Sequence, residues 1–418
     1  MTQRNDENRA VITGMGVKTP AGCDIDTFWE RVLSGKATAR EITNFDASNL
    51  PVRFACEVDD DALAIENYVN AKEARRWDRF TQLGVAAAID AFKSSGLEEG
   101  SFDATRAGVV TGTGVGGILT LEEQWSIYQE KGPSRVSPFF VPSMMANAIA
   151  GHASIMCGFS GVNFNVTTAC AAGSHALGEA ARLIWDGSCD IVLTGGAEAG
   201  VTPLVMSAFA RMGALSSRND DPTHASRPFD ANRDGFVMAE GAGFLILESL
   251  KSAKDRGATI YAEIVGYGRS GDAHHITAPL PDGSGAARSM KMALETAGLS
   301  PSDISHINAH ATSTPLNDSG ETAAMHHVFG NAVPPVSGTK GVTGHLIAAA
   351  GAVEGIISTL TIKNKLMPPT ANFEKPGDDI DIDIVNGSPR EYDGGAVLSN
   401  SFGFGGHNAS IVLSPVLS

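Results

Sequence analysis

One stretch, Gly161 to Trp185 (GVNFNVTTACAAGSHALGEAARLIW), constrains this chain more than any other. Its first half, Val162 to Thr168, is dense in β-branched and aromatic residues, and its second half carries Leu177, Ala180, Ala181 and Ile184 at helical spacing. A strand therefore hands over directly to a helix. Cys170 sits at the join. On a sharp strand-to-helix turn a side chain stands clear of the sheet and faces the unpaired N–H groups of the first helical turn, and both effects predict a thiolate. Ala169, Ala171, Ala172 and Gly173 keep bulk away from the place where a carbonyl would approach. The competing reading is a small buried thiol without chemistry, and the stretch taken alone slightly favours it.

Strand and helix signals alternate along the rest of the chain. Arg9 to Val17 reads as a buried strand ending in glycine, Phe28, Val32 and Leu33 mark a short helix, and residues 45–75 read as a surface excursion. Arg76 to Ser95 is an amphipathic helix, and Ala107 to Gly117 is a strand running into glycines. Pro133, Pro138 and Pro142 interrupt the segment beyond those glycines, so the GTGVGG run is read as a structural turn, not a dinucleotide site. Asn147 to Met156 is expected to be a buried helix facing the Cys170 unit, Asp190 to Gly196 a strand, and 218–241 polar turn material. Further strands are expected at 243–250, 262–268, 304–308, 335–338, 396–400 and 409–413, with helices at 251–256, 285–297, 321–328 and 347–361.

The segment around Cys170 has an echo in PPVSGTKGVTGHLIAAAGAVEGII, and DIVLTGGAEAG has one in AVLSNSFGFGG. An echo that occurs twice, not at a short repeated period, predicts a duplicated α/β layered fold with halves 1–250 and 251–418.

Composition excludes several classes of function. The formal net charge of -16 argues against nucleic acid as the main partner, because phosphate binding needs a basic face. Five widely spaced cysteines without a CxxC pair indicate neither a disulfide framework nor a zinc site. The first ten residues hold no apolar signal core, and no apolar run reaches the ~18 residues of a membrane span. The expectation is a soluble protein of the reducing cytoplasm, with no membrane partner.

Two of the eleven histidines stand apart, His310 in NAHATSTPLND and His345 in GTKGVTGHL. Each lies where a strand hands over to a loop of small polar residues, the usual place for catalytic side chains in layered α/β folds. With Cys170 they would form a Cys–His–His site.

Together, TTACAAGSHA, NAHATSTP, GTKGVTGH and NSFGFGGHN resemble the β-ketoacyl-[acyl-carrier-protein] synthases of the thiolase superfamily, over a span from about Arg9 to Leu413. The resemblance implies the duplicated five-layered αβαβα thiolase fold and a dimer across edge strands. It implies that Cys170 is the acylated nucleophile, His310 and His345 the catalytic histidines, and Lys340 the lysine close to the second histidine. Asp318 and Glu321 match the acidic residues that hold that lysine and the active-site loop. Phe404 matches the gating phenylalanine whose N–H, with that of Cys170, forms the oxyanion hole, and Thr312, Thr314 and Phe402 match substrate contacts. No cofactor is implied beyond the phosphopantetheine of acyl carrier protein that carries the substrates.

In such a site the thiol is acylated, malonyl thioester is decarboxylated beside two neutral imidazoles, and the carbanion attacks the acyl group. Lys340 is either an electrostatic tuner or an ion-paired structural lysine. Ala311 stands where the fatty-acid enzymes have glycine. Asn317-Asp318 with Glu321-Thr322-Ala323 is similar to ketosynthase subunits of type II polyketide synthases, whereas GFGGHN is similar to actinobacterial fatty-acid elongation enzymes. The pathway, and whether the partner subunit is a second copy or a chain-length factor, stay open. A thiolase would need a second reactive cysteine near the carboxy terminus, yet the last is Cys189. A chain-length factor would lack the nucleophile, and a papain-like protease would predict neither the second histidine motif nor the duplication.

Overall fold

The computed structural model describes residues 6–416, so part of the amino-terminal segment read for a signal core lies outside the described residues. Ten strands form the central β structure: β1 (Ala10–Lys18), β2 (Ala107–Gly112), β3 (Asn163–Val166), β4 (Ile191–Glu198), β5 (Gly241–Ser249), β6 (Ala262–Gly271), β7 (Ile304–Asn308), β8 (Val336–Ser337), β9 (Ala396–Gly403) and β10 (His407–Ser414). Their order is β3-β2-β4-β5-β1-β6-β10-β9-β7-β8. Read outward from the β1–β6 seam, the two arms repeat one another strand for strand. In each arm the two innermost pairings are antiparallel and the two outermost are parallel. At the seam Ala10 lies opposite Ile264 and Ile12 opposite Ala262. This is the duplicated α/β thiolase-like architecture.

The helices that matter for the site are α1 (Arg79–Ser94), α2 (Ile118–Lys131), α3 (Ala148–Cys157), α4 (Ala172–Trp185), α5 (Pro203–Met212), α6 (Ser284–Ala297), α7 (Pro315–Phe329) and α8 (Ala350–Asn364). α8 is buried from Ala350 to Ile362 without a break, and α4 is buried over most of its length. A helix buried all round must lie between two layers. These two form the middle layer, with α1 outside one arm and α6 outside the other. The outer helices approach their strands at glycines. A Cβ on Gly14 of β1 would overlap Ala91 O of α1, and a Cβ on Gly268 of β6 would overlap Ser289 O of α6. The glycine pairs Gly14/Gly16 and Gly266/Gly268 occupy equivalent strands and do the same work in both arms.

Several expectations change. Residues 45–75 are not a mere surface excursion. Phe54, Ala55, Cys56, Val58 and Leu63 are buried, and Cys56 N–H donates to Met238 O at 2.9 Å. Irregular chain held by distant backbone leaves no periodic signal to read. The 218–241 segment is irregular as expected but buried from Ala225 to Asp230 and from Phe236 to Glu240. A regular helix, α2, does follow the glycine run, because the prolines begin only after its terminal Gly132. α3 packs on α1, where Ile149 fills the space beside Gly84, and on β3 through Asn163 Nδ2 to Ala150 O at 3.0 Å. It is only half buried, since Ile155 is 78% exposed. α7 begins at Pro315, six residues before the expected start, because Thr314 caps it and proline is favourable at the first helical position.

Gly268→Ala is expected to lower stability by about 1–3 kcal/mol, the cost of overpacking a closed contact. Thermal melting of the two proteins checks it, and an unchanged melting temperature would mean that α6 can move off β6 freely.

Candidate active site

Cys170 lies in a single 3-10 turn, Ala169–Ala171, between β3 and α4. Ala169 adopts φ +50°, a left-handed conformation that costs a non-glycine residue about 1–2 kcal/mol. The join is therefore a strained corner that lifts the thiol above the end of the sheet. His345 Nε2 is 3.1 Å from Cys170 Sγ. The His310 and His345 rings meet edge to face, with centroids 5.4 Å apart, and each is braced by an aromatic ring, Phe402 against His310 at 5.6 Å and Phe236 against His345 at 5.1 Å. Cys170, His310 and His345 line one cleft of about 430 Å³, together with Thr312, Thr314, Phe402 and Phe404.

Each member arrives from the carboxyl end of a strand. Cys170 follows β3, His310 follows β7, Lys340 and His345 follow β8, and Phe404 follows β9. The backbone N–H groups of Phe404 and of Cys170 itself both act on the thiol. Nothing separates the β9 end from the nucleophile turn, because a Cβ on Gly403 would lie 2.6 Å from Thr168 O and 3.1 Å from Cys170 N. The Thr312 and Thr314 hydroxyls are 3.0 Å apart in the cleft wall, and the Phe404 ring rests 6.2 Å from that of Phe209.

The family models for "Beta-ketoacyl synthase, N-terminal domain" and "Beta-ketoacyl synthase, C-terminal domain" match residues 7–253 and 261–374. The chain is 47% identical over 408 residues to a 3-oxoacyl-[acyl-carrier-protein] synthase 2 of Synechocystis sp., covering 97% of this chain and 98% of that protein. The chain belongs to the beta-ketoacyl synthase family. Among solved structures, the ishigamide ketosynthase/chain length factor superposes with a TM-score of 0.92 at 34% identity, over 99% of this chain and 100% of that one. A ketosynthase bound to the hexaketide, in complex with its type II polyketide acyl-carrier protein, superposes with a TM-score of 0.90 at 34% identity, with the same coverage.

The ketosynthase frame makes the ion-pairing around Lys340 informative. Lys340 is 1% exposed, donates to the His310 carbonyl at 2.6 Å, and stands 3.4 Å from His310 Nδ1. An ammonium can only donate, so the His310 proton sits on Nε2. The expectation that Asp318 and Glu321 hold the lysine is corrected. Its carboxylate partner is Glu354 of α8. Glu321 instead receives the N–H groups of His310 and Ala311, each at 2.8 Å, and Asp318 receives the N–H of Phe229 at 2.8 Å. Both acids hold backbone. Ala311 adopts φ +39°, which explains why glycine suits that position. Glu354 was legible in principle, as a lone acid in the apolar run IAAAGAVEGIISTL. A second missed acid is Glu198, whose carboxylate receives Gly114 N at 2.7 Å and Val115 N at 3.3 Å. The glycine-rich run is thus a backbone nest for an internal carboxylate.

Burial dominates the electrostatics. It pushes the Glu198, Glu321 and Glu354 carboxyls up to about 7 and that of Asp318 to about 6. Burial, with the Lys340 charge adding to it, holds both imidazoles well below the usual histidine range, so both are neutral. The thiolate expectation is reversed. Burial pushes the Cys170 thiol up to about 12, against the opposing pull of Lys340 and the two N–H groups. The helix end favours the anion, but loss of water outweighs it. The resting residue is therefore a thiol beside His345.

Cys170 alkylation by iodoacetamide is expected to keep rising beyond pH 9 instead of levelling near the ordinary thiol value of about 8.5. Rates followed by peptide mass spectrometry between pH 6 and 10 check this, and a plateau below pH 8 would show a thiolate stabilised at rest.

Proposed function

We propose that this chain is a β-ketoacyl-[acyl-carrier-protein] synthase that lengthens acyl chains by decarboxylative Claisen condensation in type II fatty acid elongation. The carrying observation is the convergence of Cys170 Sγ, the His345 and His310 rings and the Phe404 and Cys170 N–H groups on one cleft. Acyl and malonyl groups arrive as thioesters on the phosphopantetheine arm of acyl carrier protein, and the cleft is roomy enough for such an arm.

The steps are set by what these groups do. Cys170 gives its proton to His345 as its sulfur attacks the acyl thioester carbonyl. The Cys170 and Phe404 N–H groups receive the developing oxyanion, and losing one such donor slows the step by about 10²–10³. The carrier thiol leaves with the proton, so His345 is neutral again and Cys170 carries the acyl group. Malonyl thioester then enters. Its carboxyl-bearing C–C bond breaks, carbon dioxide leaves, and the electron pair forms an enolate whose oxygen accepts hydrogen bonds from the Nε2–H of His310 and from that of His345, whose single proton passes from Nδ1 to Nε2 by exchange once acylation has freed Nε2 of the thiol. Because Lys340 faces His310 Nδ1, the Nε2–H is left for that bond. The carbanion attacks the acyl carbonyl, the carbon–sulfur bond breaks, and Cys170 leaves as a thiolate that takes one proton from solvent to return to the resting thiol.

In this reading Lys340 sets the His310 tautomer, Glu321 and Asp318 hold the loops that present His310, Thr312 and Thr314 line the entry path, and Phe402 braces the ring. Phe404 gates malonyl entry. In this reading the halves 1–250 and 251–418 divide the labour, the first carrying the nucleophile and the second both histidines. Five buried, unpaired cysteines support a reducing cytoplasm as its compartment, and no helix among the described residues is long and apolar enough to cross a membrane.

The chain works with a partner subunit. The outer edge of β8 is covered, since Val336 N–H donates to Asp383 O and Val385 N–H to Val336 O. Among the described residues no strand covers the equivalent edge of β3, where Phe164 is 37% exposed. A second copy pairing there satisfies the open backbone groups. The alternative, a type II polyketide ketosynthase subunit acting with a chain-length factor, is favoured by the structural neighbours and disfavoured by the higher identity to the fatty-acid enzyme.

Cys170→Gln is expected to abolish condensation and retain carbon dioxide release from malonyl carrier protein, and His345→Ala to slow that release by about 10²–10³. Radiolabelled malonyl substrate separates the two readouts. Condensation surviving in Cys170→Gln would remove Cys170 from its role. Phe164→Asp is expected to turn a dimer into a monomer on size-exclusion chromatography with light scattering. A wild-type monomer that becomes active only with a chain-length factor would favour the polyketide reading.

A further inference from the structure

The two oxyanion donors belong to different elements. Cys170 N–H sits on the β3–α4 turn, and Phe404 N–H on the loop between β9 and β10. A tetrahedral oxyanion needs both within hydrogen-bond reach at once, so something must fix the turn relative to the β9–β10 hairpin. Beside the close packing of Gly403 on the turn, a hydrogen-bonded contact runs through Ser174, in the first turn of α4, and Ser401, three residues before Phe404. Their hydroxyls are 2.8 Å apart, and both residues are fully buried. α8 closes over the pair at a glycine. A Cβ on Gly351 would overlap Ser174 Oγ and lie 2.7 Å from Ser401 Oγ, so the bonded pair occupies space that any other residue would fill. One residue on, His175 Nδ1 bonds Thr168 Oγ1 at 2.7 Å, which ties the chain entering the nucleophile turn to the same helical turn. His175 is buried and uncharged, and the Asn408 backbone on β10 acts on its ring.

Resting on the functional reading above, we infer that the buried Ser174–Ser401 hydroxyl pair is a positioning brace that holds the Cys170 and Phe404 N–H groups at the separation the acylation oxyanion requires. The pair touches no substrate. Its effect is on acylation and on the carbon–carbon bond step, both of which pass through a tetrahedral oxyanion. Decarboxylation at the histidine pair does not use it.

Stability and positioning can be separated because they respond differently to removing one or both hydroxyls. A single Ser→Ala change leaves the other hydroxyl buried without its partner, whereas removing both leaves two small apolar groups that pack without an orphan. The test compares wild type, Ser174→Ala, Ser401→Ala and the double variant for melting temperature, for the rate of Cys170 acylation by acyl carrier protein thioester, and, in a Cys170→Gln background, for carbon dioxide release from malonyl carrier protein. Each single variant is expected to melt lower and to acylate about tenfold more slowly at saturating substrate, since a misplacement below 1 Å is worth up to about 10²-fold. The double variant is expected to recover most of the melting temperature and to stay as slow as the singles, with carbon dioxide release unchanged throughout. Recovery of both melting temperature and acylation rate in the double variant would overturn the brace, as would singles that acylate at the wild-type rate or lose carbon dioxide release in step. Failure of the wild type itself to acylate on Cys170 would instead overturn the proposed function, and the brace with it.

Discussion

The close approach of α4 and α8 is the constraint on which the rest of this molecule depends. Cys170 stands at the start of one helix and His345 just before the start of the other, and for the two side chains to meet the helices must nearly touch at their amino-terminal ends. They do so at glycines. A Cβ on Gly173 would lie 2.7 Å from Ala348 O, and one on Gly355 would lie 2.7 Å from Leu177 Cδ1. Small residues at a helix crossing let backbones meet, and here they set the 3.1 Å separation of His345 and Cys170 across the middle layer. The duplication supplies the symmetry. Equivalent loops after β2 and β7, β3 and β8, and β4 and β9 converge on one place, and each arm has specialised its copies.

The specialisation is electrostatic. After β3 stands a thiol, and after the equivalent β8 stand Lys340 and His345. β4 ends in Glu198, and the equivalent β9 leads to Phe404. So many ionisable groups without water form a costly arrangement unless each is paired. Lys340 is neutralised by Glu354, and Glu321 and Glu198 are held by backbone N–H groups. Burial costs stability as the pH rises through the range in which these carboxylates ionise, from the ordinary glutamate value towards about 7. The outcome is a site in which both imidazoles are neutral and the Cys170 thiol rests protonated.

A good part of this is legible in residues alone. The strand-to-helix corner at Cys170, the loop settings of His310 and His345, and the two-fold echo of strand and helix signals all come from local chemistry: β-branched runs, helical spacing and small residues at turns. Local chemistry is silent where burial is achieved without periodicity. Residues 45–75 and 218–241 bury their side chains through hydrogen bonds to distant chain, which leaves no pattern. The start of α7 carries a local signal in its Thr314–Pro315 cap, but the polar residues of its first turns hide the helical spacing, and prolines beyond the end of α2 mimic interruptions within it.

The sequence by itself determined most of the elements, the duplication and the candidate site residues Cys170, His310 and His345, because each depends on residue type and spacing within one segment. Only the tertiary structure decided which acid pairs with Lys340, what the glycine-rich run cradles, and that the Cys170 thiol rests protonated. Those outcomes depend on distance and on the removal of water, and neither is a property of any segment. Glu354 lies 14 residues from Lys340 in the chain and Glu198 lies 84 from Gly114, yet burial in a shared interior makes each the nearest available partner.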